Sequence, residues 1–327
     1  MNSLTGYGRG FRGVSGLALA SLAAIVLAGA ASGPPAFASG TDSPPGRLVD
    51  VGFYRLHIHC TGVESPSVVF ESGLGGTYLD WSRVQPEVSR FARACSYDRA
   101  GYGWSEPGPE PRDVRRIAGE LDTLLTRARI PPPYVLVGHS FGGLAIRMFA
   151  SREERRAVAG LVLVDAAHED QFQRLESAGV RAPMAPTGRR FIIANHGLVP
   201  TALPENLKPA AQRLALARKA IRTLYAELGS LRRSAGQMGS IGRTIDAPVI
   251  VLSRSPRPDA GEKRDRVDEM WLDLQRDLAR TIGNTSLQVV PGSGHYIHLD
   301  RPDRIVDAIR TVVQTYRMGR THSSDGR

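Results

Sequence analysis

Lysine is nearly missing from this chain. Of 327 residues, 42 are Lys or Arg, yet Lys208, Lys219 and Lys263 are the three lysines. The formal net charge is +10, but the arginines are spread along the chain. No Lys/Arg-rich block of the kind that follows a nucleic-acid backbone occurs, so nucleic acid is not an expected partner. Cysteine is equally scarce, with Cys60 and Cys95 the two present. His57, His59 and Cys60 lie close together, and His57 and His59 would share one strand face. No further Cys/His set at ligand spacing accompanies them, so no metal is expected. The glycine cluster Gly73–Gly76 lacks the Lys-Ser/Thr that completes a phosphate-binding P-loop. No cofactor is expected.

One long apolar stretch of small residues stands out, Val14–Ala31. Arg9 and Arg12 precede it, and Ala36-Phe37-Ala38 follows as an A-x-A cleavage site. Residues 1–38 are therefore expected to be a signal peptide, and the protein to be secreted or periplasmic. The alternative is an uncleaved anchor, and a membrane is an expected partner in that case alone. Residues 39–46, rich in Ser, Gly, Pro and Thr, form a flexible lead-in. In an exported protein an even cysteine count suggests a disulfide; two buried free thiols are the alternative.

The rest of the chain alternates short apolar runs with helical stripes. Arg47–Asp50 and Phe53–His59 form a hairpin around Gly52. Ser67–Phe70, Cys95–Asp98, Tyr134–Val137, Leu161–Val164, Pro248–Leu252 and Leu287–Val290 are expected strands. Helical spacing joins Trp81, Val84, Val88 and Phe91, and again Val114, Ile117, Leu121, Leu124, Leu125 and Ala128, with Asp113 as N-cap. Further helices are expected around Val267–Leu278 and Ile305–Val313, the latter with Pro302 near its start. Strands apolar on both faces and separated by helices predict a parallel sheet covered on both sides. The alternation stops between His168 and Ile245, where one stripe, Leu214, Ala217, Ile221, Leu224, Tyr225 and Leu228, marks a helix. This predicts a helical insertion. No internal repeat is present.

Gly138-His139-Ser140-Phe141-Gly142 reads G-x-S-x-G and sits between the strand Tyr134–Val137 and a helix beginning near Gly143. Strand, tight turn, Ser and helix is the context that pushes a hydroxyl out at the C-terminal edge of a sheet. Ser140 is the candidate nucleophile. A free hydroxyl needs an adjacent base. His295 follows the strand Leu287–Val290 in a Gly-rich loop and is the candidate base, with His298 as its rival. Asp165 ends the strand Leu161–Val164, and Asp259 follows the Pro-rich stretch after Leu252. Asp165 is preferred as the acid that orients the imidazole, with Asp259 left open.

The chain resembles the α/β-hydrolase superfamily over about Val49 to Tyr316. The blocks that carry the likeness are Phe70–Gly76, Tyr97–Ser105, the elbow around Ser140, Leu163-Val164-Asp165 and Gly292-Ser293-Gly294-His295, in the family's order. The resemblance implies an α/β fold: a mostly parallel eight-stranded sheet, helices on both faces and a helical cap insertion. The domains are then a first core part at 47–167, a cap at 168–245, a second core part at 246–318 and a disordered tail at 319–327. The family's oxyanion hole implies backbone N–H donors from Phe141 and Leu74. Relatives usually carry His-Gly where this chain has Ser72-Gly73. In the family sheet the strands holding Cys60 and Cys95 are antiparallel neighbours, which implies a Cys60–Cys95 bond. Asp98-Arg99 and Trp104-Ser105 resemble a bracing turn at the sheet edge.

The implied activity is a secreted serine hydrolase that cleaves an ester or amide of a small-molecule substrate through an acyl-enzyme. Ser at position 140 is incompatible with the aspartate-nucleophile chemistry of related epoxide hydrolases and dehalogenases. The alternatives are an acyltransferase using the same triad and an inactive ligand-binding protein of this fold. No substrate-binding residue is assigned.

Overall fold

The structure of the protein is a computed structural model. The residues described are 44–152, 158–177, 199–241, 245–256, 262–283 and 285–324. The expected signal peptide, most of the lead-in, residues 178–198 of the insertion and Asp259 lie outside them.

Eight strands form one sheet: β1 (Arg47–Asp50), β2 (Arg55–Thr61), β3 (Ser67–Glu71), β4 (Arg93–Tyr97), β5 (Tyr134–His139), β6 (Val158–Val164), β7 (Val249–Arg254) and β8 (Thr285–Val290). Their order is β1-β2-β4-β3-β5-β6-β7-β8. The pairs β1–β2 and β2–β4 are antiparallel, and every later pair is parallel. The central strands are buried and mainly apolar because both faces are covered. Val69, Leu136, Leu161 and Leu163 pack into one core, while Val68, Phe70, Val135, Val137, Val162 and Val164 pack into the other. This period-2 alternation needs helices on both sides.

The helices are α1 (Gln85–Val88), α2 (Val114–Arg127), α3 (Phe141–Arg152), α4 (Gln171–Ser177), α5 (Lys208–Leu216), α6 (Arg218–Gly229), α7 (Leu231–Met238), α8 (Glu262–Thr281), α9 (Ile297–Asp300) and α10 (Pro302–Ser324). Asp113 caps α2 by accepting from the Arg116 N–H. Two helical expectations are corrected. Trp81, Val84 and Val88 are buried as their spacing requires, but a 3₁₀ turn, Tyr78–Trp81, and the four-residue α1 replace a single helix. Pro86 lies in the first turn of α1; proline has no N–H to continue a helix, so it starts one instead. The stripe Leu214–Leu228 is likewise two helices, because Ala217 is extended with ψ 136°. The expected core boundary at residue 318 falls inside α10, which runs on to Ser324.

Between β6 and β7 the described chain is helical, from α4 to α7. Cys60 and Cys95 are bonded, with their Cα atoms 4.0 Å apart. They are directly opposite in the β2–β4 register. Closing the 35-residue loop between them contributes about 3–4 kcal/mol in the chain-entropy account.

Candidate functional site

Ser140 leaves β5 and enters α3 with φ +51°, a left-handed conformation that a non-glycine residue adopts at a cost. Its backbone is held on both sides. The Ser140 N–H donates to Val164 O at 3.1 Å, and Ser140 O accepts from the N–H groups of Gly143 and Ala167, each at 2.9 Å. The turn is tight enough that a Cβ on Gly142 would lie 2.6 Å from the carbonyl oxygens of Glu71 and Ser72. Glycine is therefore required where β3 crosses the start of α3. As the first residue of α3, Phe141 has an N–H without an intrahelical acceptor. Leu74, in the loop after β3, lines the same cavity as Ser140.

His295 follows β8 and also lines that cavity. Its Nδ1 lies 2.6 Å from Asp165 Oδ2. Asp165 ends β6, is fully buried, and adopts φ +42°. Its carboxylate is saturated by donors. Oδ2 also receives Arg254 Nη1 at 2.7 Å, while Oδ1 receives the Arg254 N–H at 3.0 Å and Trp271 Nε1 at 2.8 Å. Burial alone would raise this carboxyl, but the His295 hydrogen bond and the Arg254 charge outweigh it and hold the group below the usual carboxylate range. Arg254 lies at the end of β7, the strand after which many relatives carry the acid. Here that strand contributes a cation aimed at Asp165 instead. Neither Arg254 nor Trp271 was singled out from sequence, since nothing local marks a side chain that acts across the sheet.

His298 lies apart from these contacts. It is fully buried, its ring sits 4.8 Å from that of Trp81 and 4.5 Å from that of His139, and neither nitrogen has a partner among the described residues. Burial, with the nearby His295 charge, pushes it down to about 3. Such an imidazole stays neutral. His139 donates from Nε2 to His295 O at 2.9 Å and so buttresses the His295 loop.

Ser72-Gly73 is braced by Arg99. Its Nη1 donates to Ser72 O at 2.6 Å and to Glu71 Oε1 at 2.7 Å. Nη2 donates to Gly73 O at 2.8 Å and to Glu227 Oε2 at 3.0 Å, and Nε donates to Glu227 Oε1 at 2.8 Å. All five guanidinium N–H groups are thereby used. Tyr97 donates to Glu71 and Tyr102 to Glu227, so one buried network ties β3, the Asp98–Ser105 turn and α6 together. Trp81 Nε1 donates to Ser72 Oγ at 3.0 Å and so adds a side-chain brace to this loop. The expected bracing turn also holds Asp98, whose carboxylate accepts from His57 Nδ1 and from the N–H groups of Tyr78 and Trp104, each at 2.8–2.9 Å. His57 is thus engaged in structure, and Cys60 in the disulfide.

The cavity measures about 120 Å³. Leu224 and Leu228 of α6 line it together with Ser140 and His295, and Tyr296 and Asp80 are also part of its wall. Asp80 is a site residue that sequence reasoning passed over.

Several known proteins are similar to this chain. Uncharacterized protein YqjL of Bacillus subtilis is 23% identical over 256 residues, covering 78% of this chain and 86% of its own length. A probable transporter, efuK, of Hormonema carpetanum is 33% identical over 135 residues, which span 39% of this chain and 19% of that protein. The solved structure of a thermophilic esterase from Thermogutta terrifontis superposes with a TM-score of 0.61 at 20% identity, over 84% of this chain and 99% of the esterase. The model of the Alpha/beta hydrolase family matches residues 68–308, from β3 into α10. That stretch takes in the parallel part of the sheet, the elbow and both ends of the His295–Asp165 contact, and the protein belongs to this family.

Proposed function

We propose that this protein is an exported serine hydrolase that cleaves a carboxylic ester of a small, partly apolar substrate through an acyl-enzyme on Ser140. The observation that carries this reading is the 2.6 Å contact between His295 Nδ1 and Asp165 Oδ2, with Ser140 and His295 lining one cavity. In this mechanism His295 Nε2 takes the Ser140 proton as the hydroxyl attacks the ester carbonyl. The buried Asp165 holds the imidazole in the tautomer protonated at Nδ1 and stabilises the imidazolium that forms. The developing oxyanion is received by the N–H groups of Phe141 and Leu74. His295 then passes its proton to the leaving alcohol, and water repeats the sequence to release the acid. An amide, or an acceptor alcohol in place of water, would use the same groups.

In this reading residues 168–245 act as a cap, and Leu224 and Leu228 of α6 exclude water from the acylated serine. The name of the similar thermophilic esterase agrees with ester cleavage. The disulfide is compatible with export, and among the described residues no helix is long and apolar enough to cross a membrane. The test is covalent labelling by a fluorophosphonate probe. The wild-type protein should be labelled at Ser140, and Ser140→Ala should lose both labelling and hydrolysis of 4-nitrophenyl esters, with kcat falling by roughly 10⁵–10⁶. Labelling that survives in Ser140→Ala overturns the assignment. A mature N-terminus at Ser39 in the exported protein would support cleavage after Ala38.

A further inference from the structure

Asp80 is a buried acid whose carboxyl the described fold uses for one backbone hydrogen bond. It sits in the 3₁₀ turn Tyr78–Trp81, directly after the glycine loop that carries Leu74, and it is 7% exposed. Asp80 is one of the residues lining the cavity that Ser140 and His295 also line. Arg99, the cation whose charge reaches Asp80, has every N–H committed to Glu71, Glu227 and two backbone carbonyls. A backbone hydrogen bond from Thr77 is the one that acts on the Asp80 carboxyl among the described residues. Most of its acceptor capacity is therefore unspent.

The carboxyl is also held in place. A Cβ on Gly76 would come within 2.3 Å of Asp80 Oδ2, so the side chain fills the space above that glycine. Burial first, and then the neighbouring Asp98, push the group up to about 7. A carboxyl with a single backbone hydrogen bond at this depth is costly, and an apolar residue of similar size would fill the wall without that cost. Tyr296 lines the same cavity, where burial and the Asp80 charge raise its phenol, and the remaining polar groups have partners or roles. His139 is bonded to His295 O and Tyr102 to Glu227, while Ser140 and His295 belong to the proposed chemistry. Leu74, Leu224 and Leu228 make much of the remaining wall apolar.

We propose that Asp80 is the specificity-determining group of this cavity, and that it selects substrates carrying a hydrogen-bond donor, an ammonium or a hydroxyl, beside the scissile ester. The proposal rests on the serine-hydrolase reading for its chemistry. A donor that reaches Asp80 replaces the water lost on burial, whereas an alkyl group of the same size does not. Sites built in this way discriminate strongly against analogues that lack the donor. An ammonium adds charge pairing that a hydroxyl does not.

The experiment uses matched 4-nitrophenyl esters whose straight acyl chains end in ammonium, hydroxyl or methyl. In the wild-type protein, kcat/KM for an ester ending in ammonium, hydroxyl or both should exceed that of the methyl ester by roughly tenfold or more. Asp80→Asn keeps the shape and removes the charge, so it should erase an ammonium preference while leaving a hydroxyl preference largely in place. Asp80→Leu should erase both. A methyl ester hydrolysed as well as the others, or ratios unchanged in the two variants, overturns the proposal. Equilibrium binding of hexylammonium and hexanol to Ser140→Ala, with and without Asp80→Asn, reads the same preference without turnover. Asp80-dependent binding in a protein that no fluorophosphonate labels would refute the hydrolase reading and keep the recognition role. Labelling and turnover without any donor preference would do the reverse.

Discussion

Two buried carboxylate–arginine clusters flank the cavity, and they differ in what their last partner can do. Around Arg99 everything is enclosed: the guanidinium is 2% exposed, and Glu71 and Glu227 are fully buried. Every donor on the arginine has an acceptor, and no member reaches solvent. Around Asp165 the carboxylate is just as buried, but its partner His295 is 34% exposed and faces the cavity. The first arrangement can fix backbone carbonyls and join α6 to the sheet, but it has no group free to exchange a proton. The second keeps one face of an imidazole open to the cavity. Burial with complete satisfaction gives rigidity, whereas burial with one accessible titrating partner permits acid–base chemistry.

Mutations at the two clusters should therefore fail in opposite ways. The largest effect is expected at Asp165. Asp165→Asn should lower kcat by up to about 10⁴ while the urea midpoint moves comparatively little, and Asp259→Asn should change neither. Retained activity in Asp165→Asn, or a collapse of activity in Asp259→Asn, would transfer the orienting role to Asp259. Next in size is the loss of stability at Arg99. Arg99→Met strands Glu71 and Glu227 without a counter-ion and should cost about 3–5 kcal/mol in urea unfolding. Arg99→Lys should not restore the wild-type midpoint, because one ammonium cannot serve acceptors arranged around a planar fork. If Arg99→Met unfolds at the wild-type urea concentration, the rigid cluster is not a structural brace and the contrast fails.

The effect that is smallest near neutral pH, and grows only in acid, is a pH slope from the imidazole beside the site. An unfolded His298 takes up a proton near 6.5, whereas the folded one refuses it until about 3. Below about 6.5 the unfolded chain therefore binds more protons than the native one. Stability is full above this value and falls as the pH drops toward about 3, by up to about 1.4 kcal/mol per unit. His298→Phe keeps a ring against Trp81 and should flatten that slope, as read from urea midpoints at several pH values. An unchanged slope would mean that other groups, such as the similarly lowered His139, carry the acid sensitivity.

Much of the architecture was legible along the chain because it is written in local periodicity. The apolar runs at Tyr134–Val137 and Leu161–Val164 lie within β5 and β6, and the stripe from Val114 belongs to α2 with Asp113 as its cap. Ser140 stands out because strand, tight turn and helix start are adjacent in sequence, and the cysteine pair follows from strands that are neighbours in the family sheet. The helix breaks were less visible. Pro86 was a local mark that the spacing of apolar residues obscured, and Ala217 carries no mark at all, since alanine is the strongest helix former.

What sequence alone determined, then, is whatever depends on residues a few positions apart: the alternation of strand and helix, the elbow, and the chemical types available at the strand ends. What only the tertiary structure decided is which distant groups meet. His295 and Asp165 are 130 positions apart, Arg99 and Glu227 are 128 apart, and Arg254 reaches Asp165 across 89. Parallel strands bring their C-terminal ends to one edge whatever lies between them, so the sheet, and not the spacing, selects the partners. The same holds for Asp80. It is an ordinary turn residue in the sequence, and only the folded chain sets it against Gly76 and among the loop and α6 residues that line one cavity.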